Sequence, residues 1–103
     1  MEFTQKELYQ LINLVQGPLW LVGADLTNAN LSRAILRQAD LAWSDLAGAD
    51  LRGADLEGAS LRNANLAQAD LRNANLKEAN LEGANLEGAK LQGAIMPDGR
   101  TYY

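Results

Sequence analysis

The chain has 103 residues, neither cysteine nor histidine, and a formal net charge of −4 with a pI near 4.6. That length holds one domain near the lower end of independent folding, and the acidic balance disfavours direct binding to nucleic-acid phosphate. Without thiols or imidazoles there is no disulfide, no thiolate metal site and none of the commonest catalytic bases.

Residues 1–17 read as an N-terminal capping helix. Thr4 and Glu7 form a capping box, in which each side chain covers the other's free amide, and Phe3 and Leu8 stand where a hydrophobic staple belongs. Leu8, Leu11, Ile12 and Val15 then make an apolar stripe at helical spacing, and Gly17-Pro18 stops it, which predicts a helix over 5–16. Its few basic residues argue against a membrane-surface helix. The start of the sequence shows no basic segment leading into an apolar core, and no apolar run reaches spanning length, so the expected compartment is the cytoplasm, with no membrane contact.

Residues 18–23 lead into a repeat. Leu21 is five residues before Leu26 and is expected to fill the first inward slot, with Trp20 in the seam beneath the helix. From Ala24 to Asp98 a leucine then recurs every fifth residue, from Leu26 through Leu91, with Met96 in the next slot. Two residues before each stands alanine, or serine at Ser44, so fifteen consecutive units read A-(D/N)-L-x-x or a near variant. On an α-helix a step of five turns about 140° past a full revolution, so no stripe forms. In a straight strand, residues five apart point to opposite faces. The pattern works only if the chain runs extended for about three residues, turns a corner and repeats, with Ala and Leu inward. The slot before Leu is mostly Asp or Asn, whose short side chains bond the backbone at turns. The second slot after Leu is often Gly or Asn, which tolerate corner dihedrals.

Through these A-(D/N)-L-x-x units, which cover roughly three quarters of the chain, the sequence resembles the pentapeptide-repeat family, abundant in cyanobacteria. The resemblance implies an all-β fold, a right-handed quadrilateral parallel β-helix with twenty residues per coil. Over residues 24–98 that gives just under four coils, each rising about 4.8 Å. Residues twenty apart then stack. Arg37, Glu57 and Lys77 form an alternating ladder, and Arg52 and Arg72 stack beside Asp50 and Asp70. Ser44, the one polar residue in an inward slot, is expected to bond a backbone carbonyl.

A uniform prism with a filled core offers no concave pocket, so no catalytic residue and no cofactor are expected. The stacked pairs Asp25/Asp45 and Asp50/Asp70 offer too few oxygens for calcium, so no metal is expected either. What remains is a non-enzymatic solenoid presenting surfaces to an unidentified protein partner. The alternative that the resemblance carries is a DNA mimic protecting a type II topoisomerase such as gyrase. Against it stand the modest charge and the Arg and Lys residues in each acidic stripe. One candidate partner patch is Val22, Ala42, Trp43, Ala47 and Ala67, because Trp43 takes a corner slot where most units carry Gly, Asn or Gln. The alternative for Trp43 is local packing flat across neighbouring coils. The tail, residues 99–103, follows a Pro97, Asp98-Gly99 turn. Ile95, Met96, Pro97, Tyr102 and Tyr103 either fold back over the last coil or join two molecules, which predicts a monomer or a weak end-to-end homodimer.

Overall fold

The computed structural model describes residues 19–103. The helix expected over 5–16, and with it the N-terminal cap, lies outside these residues.

Twelve parallel bridges connect residues twenty apart, from Trp20–Asp40 and Asp25–Asp45 through Asn75–Ile95. They fall every five residues, so each turn of chain has four sides and the coil closes in twenty residues. The first side holds 19–21, 39–41, 59–61 and 79–81. The second holds 24–26, 44–46, 64–66 and 84–86. The third holds 29–31, 49–51, 69–71 and 89–91, and the fourth holds 34–36, 54–56, 74–76 and 94–96. Regular pairing begins at Leu19 and Trp20, because Leu19 and Leu21 occupy the two inward slots of the unit and both are buried.

Each corner is a tight turn. The leucine carbonyl accepts a hydrogen bond from the amide three residues on, as from Ala49 to Leu46 at 3.0 Å. The residue before the closing alanine has φ between 57° and 79° throughout 23–93, the left-handed value that a type II turn requires at its third position. The slot before Leu locks the same corner from outside: the Asp45 carboxylate accepts the amide of Ala47 at 3.1 Å, and the Asn65 side-chain oxygen accepts that of Ala67 at 3.1 Å. Between coils the Leu46 amide donates to the Asn65 carbonyl at 2.7 Å, and the Asn65 amide donates to the Ser44 carbonyl at 2.9 Å.

The β-structure is sparser than the expectation of strands implies. Among the described residues pairing consists of single-residue bridges, without a longer strand and without a helix. The corner interrupts the extended run after about three residues, too soon for a ladder to lengthen along the chain.

The core is a column of leucines. Leu21, Leu26, Leu31, Leu36, Leu41 and those following to Leu76 are at most 2% exposed. Burying each contributes roughly 1.5–3 kcal/mol. Leu81, Leu86, Leu91 and Met96, which have no coil beyond them, are only partly buried. Two inward or near-inward expectations need correction. Ser44 is buried, but its hydroxyl has no hydrogen-bond partner. Trp20 does not fill a seam. It occupies the outward slot of the first side and is 78% exposed.

Candidate functional site

Corner residues make the surface irregular, and they follow a rule along the stacking direction. Six non-glycine corner side chains, those of Asn28, Arg33, Gln38, Asn63, Gln68 and Asn73, lean over the corner twenty residues on, and that position is glycine. Glu78 is followed twenty residues on by Asp98 instead. A Cβ at Gly88 would lie 2.6 Å from Nε2 of Gln68, and one at Gly48, Gly83 or Gly93 would overlap the carboxamide of Asn28, Asn63 or Asn73. Arg33 and Gln38 lie over Gly53 and Gly58 in the same way.

Trp43 breaks the rule. Its φ is 63°, and the corner below it is Asn63 rather than glycine. The corner twenty residues on thus already carries a side chain, and the indole is 68% exposed. Its neighbours in the expected patch, Val22, Ala42, Ala47 and Ala67, are all half-buried. Val22 and Ala42 share Trp43's corner, between the first and second sides. Ala47 and Ala67 sit on the next corner, across the second side. Ile35, on the fourth side, is a further exposed apolar residue at 71%. Its signal in the sequence is an isoleucine in a slot otherwise given mainly to Asp and Asn.

Charge is divided by side. The corner between the third and fourth sides carries Arg33, Arg52 and Arg72. Arg52 and Arg72 grip Asp50 and Asp70 through two hydrogen bonds each, at 2.8–2.9 Å and 2.6–2.9 Å. These bonds hold both carboxyls below the usual carboxylate range, against the opposing effect of partial burial. Arg37 pairs with Asp55 on the fourth side. Asp25, Asp40 and Asp45, around Trp43, have no ion-pair partner among the described residues. Asp25 is held below its ordinary value by the Thr27 hydroxyl and amide. Among the described residues no cluster of three or more ligand-type side chains could hold a metal ion, and no helix is long and apolar enough to cross a membrane.

At the C-terminal end the tail doubles back. Thr101 bridges Ile95 in antiparallel fashion, the Tyr102 amide donates to the Ala94 carbonyl and the Gly93 amide to the Tyr102 carbonyl, both at 2.8 Å. The Met96 amide donates to the Arg100 carbonyl at 2.7 Å. Pro97 accepts from the Glu78 amide at 3.0 Å. The tail therefore occupies the edge only beside residues 93–96. On the other sides the amides of Leu81, Gly83, Leu86, Gly88 and Leu91 have no backbone acceptor among the described residues. Tyr102 is 44% and Tyr103 98% exposed, so the rings do not seal the core.

Comparison with known proteins places this geometry. A family model described as pentapeptide repeats matches with 8 copies, over residues 24–63 and 59–96. The crystal structure of the pentapeptide repeat protein Rfr23 from the cyanobacterium Cyanothece 51142 is 43% identical with a TM-score of 0.76, over 82% of this chain and 57% of that one. HetL from Nostoc sp. strain PCC 7120, a pentapeptide repeat protein involved in heterocyst differentiation regulation, is 38% identical with a TM-score of 0.63, over 81% of this chain and 49% of its own. The Nostoc protein alr5209 is 39% identical with a TM-score of 0.54, over 91% of this chain and 79% of its own. The chain thus spans roughly half the length of the first two. The comparison with curated proteins gave no match.

Proposed function

This chain belongs to the pentapeptide-repeat family, a family of right-handed β-helices that are generally non-enzymatic structural repeat proteins, and from that premise we propose that it is a binding module. On this reading it has no enzymatic activity, and the outer surface of the solenoid is recognised by a protein partner at the Trp43 corner. The observation that carries the reading is an indole 68% exposed at a left-handed φ with no glycine to lie over. That φ is shared by every corner from 23 to 93, so what sets Trp43 apart is a large apolar ring held in solvent at a corner. The adjacent Ser44, buried without a hydrogen bond where the other such inward slots of 24–94 carry alanine, is a local departure at the same place. Large aromatic residues at interfaces are frequent anchors of binding energy.

A cytoplasmic setting, closure of the N-terminal end by the helix of residues 5–16, and a monomer or weak end-to-end homodimer through the open C-terminal edge belong to the same proposal. The unpaired amides of the last coil support the dimer, and the small cross-section of one coil keeps it weak. Imitation of duplex DNA toward a type II topoisomerase is the weaker reading, because Arg33, Arg52 and Arg72 line one whole corner.

The test is capture from a cyanobacterial lysate on immobilised wild-type protein and on the Trp43→Ser and Arg33→Ser variants. The reading expects a partner held by wild type and Arg33→Ser and lost with Trp43→Ser. A partner indifferent to Trp43 would contradict it.

A further inference from the structure

We propose that the partner bound at the Trp43 corner is a basic segment, one that sets a lysine or arginine on the indole and lays further cations along the second side. This rests on the interaction reading above and adds the chemistry of the occupant.

The second side and its two flanking corners are anionic. Asp25 and Asp45 stack on the side itself, Glu82 and Glu87 stand on the flanking corners, and Asp40 lies one side back from Trp43. Against these five carboxylates the same surface holds one cation, Arg62, and none of the five is ion-paired among the described residues. The contrast with the aspartates of the third and fourth sides decides the argument. On the third and fourth sides Asp50, Asp55 and Asp70 are each neutralised by an arginine from the same or an adjacent coil. The anionic charge around Trp43 is therefore left to be met from outside.

The surface also has the right shape. Along the corner after the second side stand Thr27, Ala47, Ala67 and Glu87, with alanine at the two middle levels, so a chain can approach closely. Trp43 rises at the opposite border of that side. A guanidinium or ammonium over an indole is attracted by the ring face, its aliphatic stem packs against apolar surface such as Val22 and Ala42, and nearby carboxylates orient it and speed encounter. An acidic segment would instead meet like charge here and would be drawn to the Arg33, Arg52 and Arg72 corner.

The test uses the full chain carrying Trp20→Phe, so that Trp43 is its one tryptophan. The probes are an end-blocked synthetic peptide of repeating Lys-Ala-Arg-Leu and its counterpart with glutamate for every lysine and arginine. The proposal expects saturable change of Trp43 fluorescence with the basic peptide, weakened by salt, and none with the acidic one. Asp25→Asn with Asp45→Asn should weaken binding several-fold. Asparagine keeps the turn bond, as Asn65 and Asn75 show, so the fold is preserved. In Trp20→Phe/Trp43→Ser, which has no fluorophore at the site, calorimetry should show affinity about tenfold lower. A response to the acidic peptide that Trp43→Ser abolishes would overturn the basic-partner inference and leave the interaction face standing. Binding of either peptide indifferent to Trp43, or no saturable binding up to millimolar peptide, would overturn both.

Discussion

Replacing Gly48 with alanine separates the two demands a corner makes. Gly48 and Gly53 lie five residues apart in the same coil at nearly the same φ, +68° and +66°. A Cβ at either is placed in the left-handed region, at a cost of about 1–2 kcal/mol, offset by about 0.4–1 kcal/mol from the stiffer unfolded chain. The space differs. At Gly53 the new Cβ meets only Cγ of Arg33 at 3.5 Å, an ordinary contact, whereas at Gly48 it overlaps the Asn28 carboxamide. Forcing Asn28 from its place costs on the order of 1 kcal/mol more. Gly53→Ala should therefore destabilise by about 1 kcal/mol and Gly48→Ala by about 2 kcal/mol, read from the midpoint of urea unfolding followed by circular dichroism. In an Asn28→Ala background the excess at Gly48 should vanish, a coupling of about 1 kcal/mol in the double-mutant cycle. Equal costs at the two glycines, or a cycle that closes without coupling, would refute the rule that corner side chains rest over the glycine of the next coil.

Other changes probe other parts of the molecule. Ser44→Ala removes a buried hydroxyl with no partner and should stabilise by about 1 kcal/mol, visible as a higher melting temperature. Leu61→Asp, in a slot that is 0% exposed, should abolish folding, while Arg62→Asp on the surface should leave the melt nearly unchanged. One residue inserted after Gly58 should shift every later inward slot outward and collapse the cooperative melt. Asp50 and Asp70 are held below the ordinary carboxylate value when folded, so the unfolded state binds more protons at low pH. Their contribution is present above the ordinary carboxylate range and lost as pH falls through it and below. The melting temperature should accordingly drop between pH 5 and pH 2, and less steeply in Asp70→Asn.

The inward column was legible because a step of five between leucines admits only one kind of path, and the twenty-residue register followed from the family resemblance. Within one unit the Asp or Asn slot also announced its turn. The corner rule was not legible, because it relates residues twenty apart, and Gly48 and Asn28 are strangers until the coil is closed. For the same reason Trp43 stands out in the sequence as an odd corner residue, while its position over Asn63 rather than over a glycine shows only once the coil is closed. Trp20 was misplaced because a large aromatic beside a predicted helix invites burial, whereas the bridge to Asp40 turns it outward. Ile35 was overlooked because an isoleucine among leucines does not look foreign until its slot is known to face solvent.

The central claim is that the solenoid presents Trp43 to a partner. Acrylamide quenching of the Trp20→Phe protein tests it directly, since Trp43 is then the sole tryptophan. The account predicts emission at the wavelength of a water-exposed indole and quenching approaching that of free tryptophan. A blue-shifted emission with strong protection in the monomer would show the ring packed across neighbouring coils and would contradict it.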